Sequence, residues 1–472
     1  MSAEAPPSVS LPPPTLVRYK VLAFLGVLAL ILYVDRICIS QAVPSIEAEL
    51  GIDDTQMSYV LAAFTFAYCL FEVPTGSWGD RYGSRGVMAR IVVWWSVFTA
   101  LTGAAPGLWS LVLIRFLFGA GEAGAFPNTA RMLARWFPPQ GRGPAQGLIT
   151  TMALVGGAIS PAIAAYLIRA VGWRWAFATF SLPGFVWVLA FYGWYRDDPA
   201  THPAVNDAER QLIGCSNSAH PDIRHPSIPW RLVLTSANVW LLGGVITCSA
   251  FNTYLYFSWY PTYLIKGRGV GPLTSGWLAS MVLAGGAIGG TLGGFLSDAL
   301  IRRSGNRKAS RRGLGCAALA SSGVLLLIGL HTDHVIAAAS WTALAVLAVH
   351  MPLASWWGAV ADISGRHVGA LFGLMNSLGA VGAIASQLFL GRFADWMRDL
   401  GFEGRDQWDP AFYIYATILF VGAFGWLWID TTRPVEPPPP PTVLEVPPTA
   451  EQSTGIIDQE LVRGIREGRP AS

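Results

Sequence analysis

Two pairs of opposite charge sit where the sequence has almost no other polar residue. Asp35-Arg36 follows Leu32-Tyr33-Val34, and Arg115 and Glu122 lie seven apart in RFLFGAGEAGAFP. On a helix, neighbouring residues point roughly 100° apart, so Asp35 and Arg36 share no direction, yet both can reach one central cavity. Seven residues are two turns, which puts Arg115 and Glu122 on one face, about 10 Å apart along the axis. An ionised side chain at the centre of a bilayer costs about 2.5–3.5 kcal/mol, so each of these four is a functional candidate. A guanidinium fork suits a carboxylate ligand. In a buried carboxylate beside an Arg, desolvation competes with Coulomb attraction, and a proton-coupled carrier needs that competition. The bland alternative is a permanent structural tie within each pair. Gly119, Gly121 and Gly124 around Glu122 thin the helix for a neighbouring helix or a ligand.

The elements that must hold these groups follow from composition. Of 472 residues, 53% are hydrophobic and only 13% charged, about half the share of charge usual in soluble domains. Such a chain cannot cover itself with a wettable surface. That excludes an ordinary cytosolic enzyme, a disordered chain and a nucleic-acid binder, and the net charge of +3 is too small to signal a polyanion partner. The five Cys (Cys38, Cys69, Cys215, Cys248, Cys316) show no CxxC spacing, so neither a metal site nor a disulfide framework is expected. No phosphate-cradling GxxxxGK[ST] loop is present, and no cofactor is called for.

Apolar runs of about 20 residues, enough to cross ~30 Å of hydrocarbon, recur twelve times between Lys20 and Ile429. The sequence therefore predicts an all-α membrane protein with twelve transmembrane helices. Two six-helix halves, 18–195 and 231–434, are joined by a Pro-containing linker, 196–230. A tail of 1–17 precedes them and a Pro-rich tail of 435–472 follows. Arg and Lys crowd the even-numbered loops, whereas the first loop is acidic, so both termini are placed in the cytoplasm.

The loop after the second helix reads GSWGDRYGSR, and its counterpart 218 residues later reads GFLSDALIRR. Asp80, Arg81, Arg85 and, in the second copy, Asp298 are candidates for a latch that holds one conformation and releases in another. A solvated loop charge pair is the alternative for either copy alone; matched positions in both halves argue for the latch.

Twelve helices, a long central loop and GxxxDRxGxR resemble the major facilitator superfamily. Asp35-Arg36, RxxxGxGExxxFP (Arg115 to Pro127), SWYPTYL (Ser258–Leu264), GxxNSxG (Gly373–Gly379) and DTTRP (Asp430–Pro434) are similar to its anion:cation symporter branch. That branch includes bacterial sugar-acid and aromatic-acid transporters and the animal sialin and vesicular glutamate carriers. The resemblance implies that Arg36 holds a substrate carboxylate, that Asp35 and Glu122 carry protons, and that Arg115 modulates Glu122. It implies further substrate contacts from Tyr68 and Asn376. The aromatic seventh helix (Tyr254, Tyr256, Phe257, Trp259, Tyr260) adds Tyr256. Met152 stands near the position where sugar-acid carriers of the branch often have an amide, so an aromatic or short-chain carboxylate is as credible as a sugar acid. Glu72, in the second helix, is a possible third titrating group or a plain helix-to-helix pair. His350 reads first as a packing residue. The expectation is a monomeric inner-membrane symporter importing a small organic anion with protons. An exchanger or exporter on the same fold is the rival, and a transport-inactive sensor a second. With no nucleophile–base pair and no HExxH, it is not expected to be an enzyme.

Overall fold

The computed structural model describes residues 12–214, 230–364, 367–431 and 435; the side chains of Ser77, Asp80, Trp230 and residues 368–370 lie outside that description. Among the described residues every regular element is a helix. In the order of the chain these are α1 (Val17–Leu50), α2 (Asp54–Tyr82), α3 (Ser84–Gly103) and α4 (Leu108–Trp136). A continuous 56-residue stretch, Pro139–Trp194, comes next. It would rise about 84 Å, far more than a bilayer's ~30 Å. Gly172 breaks it at φ 78°, ψ 161°, a conformation that glycine adopts without a Cβ penalty. The stretch is thus two crossings, α5 (139–171) and α6 (173–194). The second half holds α7 (237–267), α8 (Pro272–Ser304), α9 (Arg307–Leu330), α10 (Val335–Ser364), α11 (Val368–Asp399) and α12 (Arg405–Trp428). Among the described residues these are twelve helices, the number that the apolar runs predict. An even number leaves the start of α1 and the end of α12 on one face, called here the tail face.

Local chemistry sets the turns. Gly51, at φ 65°, stops α1 and returns its N–H to the Glu47 carbonyl; Asp53 then starts α2 by accepting from the Gln56 N–H at 2.7 Å. Gly305 and Asn306 do the same between α8 and α9. Helix contact is close where side chains vanish. A Cβ on Gly285, Gly289 or Gly293 of α8 would strike the Ala343, Leu347 or Met351 carbonyl of α10, as small residues at helix interfaces allow.

The two halves touch along α2 with α11 and α5 with α8. The polar bridges between them cluster away from the tail face. Lys266 Nζ lies 2.7 Å from Glu47 and 2.9 Å from Asp54, Arg398 reaches Asp54 at 3.5 Å, and the Thr55 N–H donates to Asp395 at 2.6 Å. Gln41 donates to the Pro272 carbonyl and the Ala162 N–H to Ser280. Glu72 of α2 and Asn376 of α11 add a bridge nearer the tail face.

Part of the linker is built onto the first half. A short helix, Asp207–Ile213, seats Glu209 beneath the start of α1. Glu209 accepts from Thr15 Oγ1, from the N–H groups of Val17 and Arg18, and from Arg18 Nη1 at 3.1 Å. A carboxylate there meets unpaired N–H groups at the positive end of the helix dipole. Residues 1–11, 215–229, 365–366, 432–434 and 436–472, which include Cys215, Arg366 and Arg433-Pro434, lie outside the described residues.

Candidate functional site

α1 delivers Asp35 and Arg36, and α4 delivers Arg115 and Glu122. α4 loses its regular turn at Ala123-Gly124, directly after Glu122. The glycines bring it close enough to place that carboxylate. A Cβ on Gly119 would meet the Phe64 carbonyl of α2, and one on Gly121 the Trp94 ring of α3. Arg36 pairs with Glu122: Nε donates to Oε1 at 2.8 Å and Nη2 donates to the same oxygen. Glu122 is fully buried, and the Arg36 side chain is 10% exposed. The guanidinium also lies over three rings, Tyr68 at 4.7 Å, Tyr33 at 5.0 Å and Phe64 at 5.2 Å, an aromatic cage that favours a cation.

Asp35 and Arg115 complete the cluster. Both are buried, and the charge of Asp35 acts on those of Glu122 and Arg115. Arg115 stacks 4.4 Å over Phe118. Apart from the Trp95 side chain beside Asp35, neither Asp35 oxygen has a hydrogen-bond partner, and Arg115 Nε and Nη1 and Glu122 Oε2 have none. Buried polar atoms are almost always satisfied. Their concentration here, among the apolar helices, makes this cluster the candidate site.

The second half supplies a polar face. Asn376 of α11 donates to Glu72 of α2, joining the halves next to Arg36. Tyr254 of α7 lies close enough to Arg36 and Glu122 to feel their charges. Tyr256 is elsewhere: it is 1% exposed and packs on Tyr260, inside the second half. The sequence thus brings together Arg36, Tyr68, Asp35, Glu122, Arg115 and Asn376 but sets Tyr256 apart, with Tyr254 facing Arg36 instead. Two residues apart, the two tyrosines point to nearly opposite sides of α7, whose residues 255–259 wind as a π-helix. Met152 packs near Gly26 of α1. His350 bonds the Val346 carbonyl through Nδ1 at 2.9 Å, and with Tyr33 and Phe257 it lines a small cavity. Gln387 ties α2, α7 and α11 together through Thr65 and Ser258, each at 3.0 Å.

At the tail face, Arg85 is fixed to the end of α6. Its N–H donates to Asp197 at 3.0 Å and its Nε to the Tyr192 carbonyl at 3.0 Å. Arg81 is exposed, and the Asp80 side chain lies outside the described residues. Asp298 is exposed, with no ion-pair partner among the described residues. In its half Arg311 pairs with Asp362, and Lys308 with Asp430 at 2.6 Å.

The family model described as Major Facilitator Superfamily matches residues 25–387. The chain is 30% identical over 421 residues to a probable sulfoacetate transporter of Cupriavidus necator, covering 89% of this chain and 96% of that one. It is 30% identical over 406 residues to a probable galactarate/D-glucarate transporter of Bacillus subtilis, covering 80% and 86%. To a D-galactonate transporter of Escherichia coli it is 27% identical over 420 residues, covering 87% and 95%. Among solved structures, a bacterial homolog of the human lysosomal transporter Spinster, inward-facing and unoccupied, superposes with TM-score 0.72 at 19% identity, covering 88% of this chain and 98% of that one. A D-xylose–proton symporter superposes with TM-score 0.67 at 15% identity, covering 88% and 98%.

Proposed function

This chain belongs to the Major Facilitator Superfamily, a transporter and not an enzyme, and from that premise we propose that it imports a small organic anion together with protons. The observation that carries the reading is the caged, buried Arg36–Glu122 pair beside Asp35 and Arg115. A cargo carboxylate takes the fork of Arg36. Glu122, displaced from that fork, holds a proton in place of the cation, and Asp35 is the second proton site. With its charge neutralised, the site crosses between states in which the halves 18–195 and 231–434 open to opposite faces. The relatives named for sulfoacetate, galactarate, D-glucarate and galactonate support an anionic cargo of this size. Tyr68, Tyr254 and Asn376 stand where hydroxyl or carbonyl groups of the cargo would lie, and Arg115 sets the field at Glu122.

Arg85, Arg135, Arg142, Arg302, Arg303, Arg307 and Lys308 lie toward the tail face, which makes that face cytoplasmic by the positive-inside bias. The protein then sits as a monomer in the inner membrane with both tails inside. Arg85, Arg81, Asp80 and Asp298 act as the latch on that face.

Uptake into proteoliposomes under an imposed pH gradient tests the reading, with sugar acids, sulfoacetate and aromatic acids as cargo. Acid outside drives accumulation of at least one of them. Arg36→Lys abolishes binding in a thermal-shift titration, because a point charge cannot replace the fork. Uptake indifferent to the gradient, but dependent on a second anion inside, identifies an exchanger and removes the proton step.

A further inference from the structure

A groove of about 1120 Å³ runs along the outer side of α1 and α6, away from the central site. Phe24, Val27 and Ile31 form one wall, and Leu182, Val186 and Trp187 the other. Lys20 and Trp194 stand at its tail-face end. From Lys20 to Ile31 helix α1 rises about 16 Å, matching the ~15 Å of hydrocarbon in one leaflet. Apolar walls, an open side and this length fit a single acyl chain.

The mouth has a different chemistry. Lys20 is exposed, and no carboxylate pairs with it among the described residues. Arg196 and Lys20 both act on the neighbouring His202, which burial and these two cations hold below the usual histidine range. Glu209, the nearby acid, is already committed to Arg18 and the start of α1. The entrance is therefore cationic, with an indole beside it at the depth of a lipid headgroup.

We propose that this groove binds one anionic phospholipid of the leaflet on the tail face, its acyl chain between α1 and α6 and its phosphate on Lys20. The chain end would reach Ile31, one turn before Asp35-Arg36, so the lipid buttresses the part of α1 that carries the central site.

Native mass spectrometry of the purified full chain tests this with phosphatidylglycerol and phosphatidylcholine of equal chain length. The protein retains one phosphatidylglycerol under activation that strips phosphatidylcholine. Lys20→Gln weakens that retention on the order of fivefold, the loss expected for one basic side chain at a membrane surface. Lys20→Arg retains it, which separates loss of charge from loss of fold. Ala190→Trp, which fills the groove, loses the bound lipid. Equal retention of the two lipids by the unaltered protein overturns the proposal. So does a Lys20→Gln protein that retains phosphatidylglycerol as firmly as the unaltered one, or full retention in Ala190→Trp.

Discussion

Replacing Lys266 by Gln opens the face opposite the tails. Its ammonium sits between Glu47 at 2.7 Å and Asp54 at 2.9 Å, whose side chains are only 6% and 1% exposed. Removing one partner of a buried ion pair costs about 3–5 kcal/mol, whereas an exposed pair is worth about 0–1. Lys266 itself is 31% exposed and Arg398 still reaches Asp54, so solvent and the second cation offset part of the loss. A value of about 2 kcal/mol lies between those limits. All of it falls on the closed arrangement, because the three residues come from both halves and meet only when these helix ends meet. At 1.4 kcal/mol per factor of ten, the population closed on this face drops about 30-fold against its alternative. Spin labels at Arg169→Cys and Glu403→Cys, in a background without the native thiols, report the separation across this face by pulsed dipolar spectroscopy. The substitution shifts the distance distribution to longer values, and Glu47→Gln added to Lys266→Gln restores part of the short component. A distribution unchanged by Lys266→Gln refutes the reasoning, since the bridge would then carry no weight in the balance of states.

Glu122→Gln keeps an oxygen for Arg36 but removes the titration; accumulation driven by a pH gradient falls to background while counterflow of labelled cargo persists. Gly119→Ala forces a methyl group against the Phe64 carbonyl, costs about 1–3 kcal/mol as overpacking, and lowers the melting temperature in detergent. Glu209→Ala strips the cap from α1 and leaves Arg18, 9% exposed, without its partner. The cost is about 3 kcal/mol or more, read as earlier melting and as faster hydrogen exchange in the first turns of α1.

The crossings were legible because each apolar run is as long as a bilayer is thick, a constraint that acts on single segments. Contacts between segments were legible only in part. Arg115 and Glu122 share a helix face by spacing, yet Glu122 bonds Arg36 of another helix; spacing says which side chains lie on one face and nothing about what packs against it. Tyr254 could not be told from Tyr256 because an unbroken aromatic run does not mark which side of the helix packs toward Arg36. The Glu72–Asn376 bond and the Lys266 bridge join residues hundreds apart in sequence. The linker read as a connector because its prolines and polar residues suit one, while Glu209 shows that 196–214 also cap the first helix. Such docking depends on a partner surface that composition does not encode.

Glu122 engages both donors of Arg36 through a single oxygen, Oε1, while Oε2 stands idle. A free carboxylate offers two oxygens, one to each N–H in parallel, the stronger arrangement. The incumbent side chain is thus a weaker match for that guanidinium than an incoming molecule of correct bite. If Arg36 takes the cargo carboxylate as proposed, selectivity at this point becomes a contest of geometry: a ligand with one acceptor would only tie with the resident, and one with two would evict it.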